Sequence, residues 1–479
     1  MPPQARSIRF QSNCIQFSRF VCILALAAAC AAVGPDYSRP EFTTPVKWSG
    51  RLQGGLTPSE LDPASLSRWW EDLGDPTLSR LIEAAIEANL DLRTATSQVR
   101  RARADRARTR AGRFPTLGGQ GSATQSGETD SDLGSSKLYS GGFDASWEID
   151  VFGGVRRAVE AADASDEAAV EARRDVLVSV LAEVALNYVE LRTFQQRHMI
   201  AVRNLENQEE ALEIVRAQAT AGATSGLDLE QATSNAAATQ AQLPSLHQNI
   251  SRAQNRLSVL LGETPGSRAE ELSKFRELPV PPIEIAVGVP AEVLRRRPDV
   301  RAAERQLAAE TAQVGVATAE LYPKFMLNGS IGIDSLSISG AAYKIGPEMS
   351  WRMFDGGRTR REIEIQNTVQ EQALIAYEGT ILEALEDVEN SMTDFAQEQV
   401  RLRWLRESSE AASQAAQLAA SRYEAGASPF LEVLDAQRTS LSAEDTQAAS
   451  EGQVVSNLIR LYKSLGGGWT SMEPDRAEY

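Results

Sequence analysis

The chain is written twice, and this constrains its fold more than any other feature. Asn89-Leu90-Asp91-Leu92-Arg93 returns as Arg297-Pro298-Asp299-Val300-Arg301, and Arg113-Phe114-Pro115 as Leu321-Tyr322-Pro323, both 208 positions on. Trp147 with Phe152-Gly153-Gly154 returns as Trp351 with Phe354-Asp355-Gly356-Gly357. Ala221-Gly222-Ala223 returns as Ala425-Gly426-Ala427, Leu227-Asp228-Leu229 as Leu431-Glu432-Val433, and Arg256-Leu257 as Arg460-Leu461, now at an offset of 204. A repeat of about 200 residues is too long for a solenoid unit, so it reads as a duplicated domain. The offset changes between Pro115 and Trp147, which places the length difference in a surface loop, where length varies most cheaply.

Each copy reads helix, hairpin, long helix, helix. Residues 89–112 are helical in pattern and stop at Phe114-Pro115. Residues 155–220 hold neither proline nor glycine; at about 1.5 Å per residue that helix reaches about 100 Å. After a turn at 221–226 a further helix covers 227–261, with Pro244 expected to kink it. Leu177, Leu181, Val184, Tyr188 and Leu191 are spaced 4-3-4-3, and Ile381, Leu385, Val388, Met392 and Phe395 repeat the spacing, which is a coiled-coil seam. The organisation expected is a first repeat over 76–263 (hairpin 115–152, long helix 155–220, helix 227–261) and a Pro-rich connector over 264–290. A second repeat follows over 291–469 (hairpin 323–354, long helix 358–424, helix 429–465), then a tail at 470–479.

The stretches before each Gly-Gly alternate. Phe143, Ala145, Trp147, Ile149 and Val151 are apolar at odd positions, with Asp144, Ser146, Glu148 and Asp150 between them. The segments 325–333 and 343–353 alternate likewise, and 117–123 does so weakly. A half-buried hairpin of a soluble protein shares this pattern; so does a transmembrane β-strand, with one face to lipid and one to water. Two strands per copy make four per chain. Four strands cannot close a barrel, and an open edge is not tolerated in lipid. A barrel must then be shared: two chains give a filled interior, three give twelve strands and room for water. Asp144, Glu148, Asp150, Glu348 and Arg352 on the inner face favour three.

The N-terminus reads as an address. Residues 1–29 contain Arg6, Arg9 and Arg19, no acid, and a short apolar run at 20–29 before Cys30, the form of a secretory signal. Leu26-Ala27-Ala28-Ala29-Cys30 resembles a lipobox, with Cys30 as the lipidated first residue of an extended segment over 30–75. Cleavage removes three of 49 basic residues and none of 65 acidic ones, so the net charge moves from −16 to −19. That argues against a nucleic-acid partner. Two histidines, His198 and His247, and no cysteine beyond Cys30 leave little for a Cys/His zinc site. No G-x-S-x-G, P-loop or H-E-x-x-H occurs, and the reading is that the chain is not an enzyme. Arg295-Arg296-Arg297 reads as structural charge pairing, and the histidines as surface residues on separate helices.

Longer motifs carry a resemblance. Val33-Gly34-Pro35-Asp36-Tyr37 after Cys30, Trp69-Trp70 with Asp75-Pro76, Leu294 through Glu304, Ala319-Glu320-Leu321-Tyr322-Pro323, and Tyr423-Glu424-Ala425-Gly426 with Leu434-Asp435-Ala436-Gln437-Arg438 cover nearly all of the mature chain. Together they resemble the TolC-like outer-membrane efflux factors, nearest the NodT-type lipoproteins of resistance-nodulation-division systems. The resemblance implies a homotrimer with a shared twelve-stranded barrel and an α-helical periplasmic tunnel. It also implies a periplasmic adaptor, an inner-membrane pump of that class, an outer-membrane address with Ala31 after Cys30, and no cofactor beyond the covalent lipid. The alternatives are the outer-membrane channel of a type I secretion system or a soluble periplasmic coiled-coil adaptor. Trp147 and Trp351 should face lipid or its interface. Leu431, Asp435 and Arg438 follow the second turn on one helical stripe. As a local feature, Asp435 and Arg438 would form an i,i+3 ion pair. The resemblance instead implies a gate at the periplasmic tip, with Leu431 as plug, Asp435 as acidic ring, and Arg438 tied to a neighbouring helix through an acid such as Asp228.

Overall fold

The computed structural model describes residues 32–126, 136–334 and 340–470. In chain order the elements are β1 (Leu56–Thr57), α1 (Pro63–Ser67), α2 (Pro76–Ala88), α3 (Leu90–Ala111), β2 (Thr116–Ser126), β3 (Ser136–Ile149) and α4 (Gly154–Thr220). Then come α5 (Gly226–Gln240), α6 (Gln242–Leu260), α7 (Ala269–Ser273), β4 (Ile285–Ala286), α8 (Pro290–Arg296) and α9 (Pro298–Ala319). The chain continues through β5 (Lys324–Asp334), β6 (Ala342–Ser350), α10 (Arg358–Glu424) and α11 (Phe430–Ser464). The offsets seen in the sequence recur in the element bounds. α3 and α9, and β2 and β5, start and stop 208 positions apart, while α4 and α10, both 67 residues long, differ by 204. Among the described residues no helix is long and apolar enough to cross a membrane.

Contacts divide the chain into two units, of which the first comprises Met1–Glu41, Gln98–Val170 and Ala302–Gly379. Within it the four long strands form one antiparallel sheet in the order β2-β3-β5-β6. α3 buries Leu92, Ala95 and Val99 and is too polar beyond them to be held by an apolar stripe. Its Arg106 and Arg110 instead pair with Asp163 on α4, and Arg106 also reaches Asp166 at 3.2 Å. A strap of residues 32–41 is pinned to the same unit: the Val33 N–H donates to the Phe152 carbonyl (3.0 Å), and Arg157 donates to the Val33 carbonyl (3.0 Å) and to Asp36 (2.6 Å). Gly34 has φ +90°, and a Cβ there would collide with the backbone of Gly315. The Tyr37 hydroxyl donates to Glu304 (3.1 Å); burial and that carboxylate push its pKa up to about 12.

The second unit comprises Phe42–Ser97, Glu171–Arg301 and Thr380–Tyr479. The expected seam is its core: Leu177, Leu181, Val184, Tyr188, Leu191, Ile381, Val388, Met392 and Phe395 are buried, and Leu385 is half-buried. Trp69 stacks on Tyr462 at 5.3 Å and meets Trp70 edge-on at 5.9 Å. Helix 89–112 proves to be the second of two. α2, with Asp75 as N-cap and Pro76 at the first position, precedes α3, and Asn89 between them accepts from the N–H groups of Asp91 and Leu92 while donating to the Leu260 carbonyl at 2.8 Å. The signature Asp-Pro before an amphipathic stretch was there to be read.

Pro244 interrupts its helix at a single residue, Ala241, which keeps right-handed helical dihedrals. α5 ends at Gln240 and α6 begins at Gln242, because a proline ring has no N–H for the carbonyl four residues back and clashes with it. In the second copy the same span is the unbroken α11. The arginine run is structural as expected. Arg297 bonds Asp299 and Asp387 (2.6 and 3.0 Å), and Arg296 donates to the carbonyls of Pro63 and Trp469.

Candidate functional site

Two places carry the residues singled out in the sequence, one in each unit. In the sheet, side-chain parity is kept through every strand pair: Phe143 is opposite Gly119 and Ile331, Ile331 opposite Tyr343, and Trp147 opposite Leu327. Odd positions therefore share one face. Leu117, Tyr139, Phe143, Ile333, Tyr343 and Ile345 on it are large, apolar and exposed. Exposed apolar area of this extent marks a surface built to be covered.

The even face is polar and cross-linked. The Ser146 hydroxyl donates to the Asn328 side-chain carbonyl at 2.8 Å, and the Asn328 amide donates to Glu348 at 2.7 Å, so three strands are joined by one ladder. Asp144 fits beside Gly118, where a Cβ would approach its carboxylate to 2.9 Å. Pairing Asn328 with its cross-strand partners was the signal that could have found this ladder. Two inner-face assignments need correction. β3 ends at Ile149, and Asp150 accepts from the N–H groups of Val155 and Arg156 (3.2 and 2.8 Å), capping α4. Arg352 lies beyond β6 and pairs with Glu320 at 3.2 Å. Asp355 does for α10 what Asp150 does for α4: the Thr359 hydroxyl and N–H and the Gly357 N–H hold its pKa down to about 2.

Trp147 and Trp351 sit at matching places. Each indole N–H donates at 3.0 Å to a carbonyl just before the Phe-Pro or Tyr-Pro step, that of Arg113 and of Leu321 respectively. They are 37% and 49% exposed, amphipathic rings at the foot of the sheet. Cys30 lies outside the described residues. Ala32, two residues on, packs at the same foot, where a Cβ on Gly153 would come within 2.5 Å of the Ala32 methyl.

The second place is the pair of helical turns. α4 and α10 end identically. Gly222 and Gly426 take left-handed φ of 72° and 69°; the next N–H, of Ala223 and Ala427, donates at 2.8 Å to the carbonyls of Gln218 and Arg422. This is the Schellman stop, which needs glycine at that position. Between the turns Tyr423 donates to Gln218 (2.5 Å) and meets Phe430 at 5.1 Å, over a small core of Val215, Ala232, Val433 and Leu434. The Tyr423–Phe430 pair was not foreseen; its flanking of Gly426 was the available signal.

Leu431, Asp435 and Arg438 all lie on the exposed side of α11, and Leu431 is 58% exposed. Arg438 does not form the local ion pair with Asp435. Its Nε donates to Asn235 of α5 at 2.9 Å, so it does tie two helices, through an amide. Within the chain Asp228 is not its partner. Asp228 closes a capping box with Ser225 and accepts from Thr224 at 2.7 Å, and these hydroxyls lower its pKa.

This arrangement resembles known proteins over almost its whole length. The chain matches the outer membrane efflux protein family over residues 81–263 and 289–467. It is 32% identical over 461 residues to nodulation protein T of Rhizobium leguminosarum bv. trifolii, covering 94% of this chain and 97% of that one. It is 32% identical over 467 residues to the pyoverdine export outer membrane protein OpmQ of Pseudomonas aeruginosa, again covering 94% and 97%. The solved structure of the outer-membrane channel OprN superposes with a TM-score of 0.85 at 39% identity, over 92% of this chain and all of that one. The chain belongs to the outer membrane efflux protein family.

Proposed function

We propose that this chain is one third of a passive outer-membrane duct of a tripartite efflux system. The observation that carries the reading is the sheet: four strands, one face apolar and exposed, one polar, and the outer edges of β2 and β6 unpaired among the described residues. Lipid does not tolerate an open edge. Three copies edge to edge make twelve strands with the Ser146–Asn328–Glu348 ladder toward water and the odd face toward lipid. Trp147 and Trp351 lie at the membrane–water boundary, and a lipid on Cys30 enters beside them through the pinned strap. The helical part meets a periplasmic adaptor and, through it, an inner-membrane resistance-nodulation-division pump, which selects the cargo.

The turns form the periplasmic gate. Around a threefold axis three Leu431 side chains plug the opening and three Asp435 carboxylates ring it, favouring cations. Arg438 holds α11 against α5 through Asn235. Native mass spectrometry and planar-bilayer recording test both statements. A conducting trimer is expected; a stable monomer or dimer rejects the shared barrel. Leu431→Ala with Arg438→Ala should raise single-channel conductance, and Asp435→Ala should lower cation preference. Wild-type conductance and selectivity in an assembled trimer place the constriction elsewhere.

A further inference from the structure

The chain of 479 residues contains two histidines, 49 positions apart, and the fold brings them face to face. His198 on α4 and His247 on α6 have ring centroids 4.5 Å apart, with the planes inclined at 67°. Both belong to the second unit. They lie on separate helices as expected, with His247 exposed and His198 half-buried, and their rings are in contact, which the sequence reading did not anticipate. Among the described residues neither imidazole takes part in a hydrogen bond or an ion pair. No backbone carbonyl or carboxylate therefore fixes a tautomer, and each ring has a nitrogen lone pair to give.

We propose that His198 and His247 form a binding site for an imidazole-preferring divalent transition-metal ion, copper(II) or zinc(II), that staples α4 to α6. The first support is geometric. Metal–nitrogen bonds of about 2.0–2.1 Å place two ligating nitrogens about 3.3 Å apart on one tetrahedral ion. Ring centroids 4.5 Å apart bring the edges of the two imidazoles within range of that separation.

The second support is the chemistry of the surroundings. One turn away on α4 stand Phe194, Gln195, Ala201 and Val202, and one turn away on α6 stand Leu243, Pro244, Ile250 and Ser251. None is acidic, so the two helices themselves offer nitrogen and water in place of the oxygen cage that calcium or magnesium requires. His247 is exposed, which admits water to the remaining coordination positions, and His198 borders a cavity of about 1220 Å³ lined by Met199, Phe275 and Leu278 together with Arg203, Glu206 and Glu277.

The site is complete within one chain and stands whether or not the duct reading does. Its effect is local: α6 begins immediately after the break at Ala241, and a cross-link to α4 fixes the helix just past that break.

The test uses tag-free, full-length mature protein in detergent, titrated with copper(II) and followed by electron paramagnetic resonance. One ion per chain with superhyperfine structure from two nitrogens is expected. His198→Gln and His247→Gln should each weaken binding by at least about tenfold, the lower end of what even an outer-shell partner costs a metal site, and leave one nitrogen or none. Zinc(II) should raise the melting temperature of the wild type and not of the two variants. His247 is exposed, so its variant folds if the wild type does. An aqueous copper spectrum with the wild type, or an unchanged two-nitrogen spectrum with either variant, overturns the proposal.

Discussion

Tyr188 is held through one oxygen. Its hydroxyl donates to Asp75 at 2.5 Å, while the other oxygen of Asp75 caps α2 by accepting from the Thr77 and Leu78 N–H groups. The guanidinium of Arg192, 1% exposed, lies 4.7 Å over the same ring. Tyr188→Phe leaves the carboxylate without its buried donor and should cost about 1–3 kcal/mol, read as a lower melting temperature at neutral pH. Burial and the bond to Asp75 push the tyrosine up to about 12 from 10.0. The unfolded chain therefore loses this proton first. The stability it contributes is full below pH 10 and falls as pH rises toward about 12. Alkaline melting curves should show that fall, with a smaller one in the variant. Gly34→Ala provides a second residue-scale test. It meets both a left-handed backbone and the Gly315 backbone, whereas Gly222→Ala meets only the former, with open space around it. The first should lower the melting temperature more than the second, whose cost is about 1–2 kcal/mol. The Trp and Asp-Pro motifs that carried the family resemblance are thus packing and capping groups. Sequence spacing could not show that Asp75 and Tyr188 meet, because 113 residues separate them.

Among elements, the contrast between α5–α6 and α11 is a controlled comparison made by the chain itself. The two spans are 204 positions apart end to end, and Pro244 corresponds to Ala448, which is buried. Ala448→Pro should cost about 3 kcal/mol or more and reduce helicity by circular dichroism, whereas Pro244→Ala restores an N–H donor at the interruption and should not lower the melting temperature. The sequence pattern made the long helices, their seam and their stops legible, since a glycine-free run, a 4-3 spacing and Ala-Gly-Ala are local signals. Asp150 was misread because alternation alone does not say where a strand ends. A carboxylate three residues before a Gly-Gly is equally a helix cap, and here the cap prevails. The in-chain partner of Arg438 was not legible for a related reason: charge complementarity points to acids, and the neutral amide of Asn235 carries no charge signal.

At the scale of the molecule, the two faces of the sheet make opposite demands on neighbouring residues. Ile345 and Lys344 are adjacent on β6 and point to opposite sides. Ile345→Arg should destabilise the membrane form by about 2–4 kcal/mol and deplete it from the outer-membrane fraction, while Lys344→Arg should leave it in place; equal behaviour of the two would contradict the assignment of faces. The duplication has a consequence in terms of symmetry. In the proposed trimer, three chains of two like halves present six similar halves around one axis, and a half-length ancestor would have needed six copies to close the same ring. Pro244 is present in only one half of each chain, so interrupted and unbroken helices alternate around that proposed ring. A partner gripping such a ring with six equal arms would meet two kinds of seat, and only every second arm would bind alike.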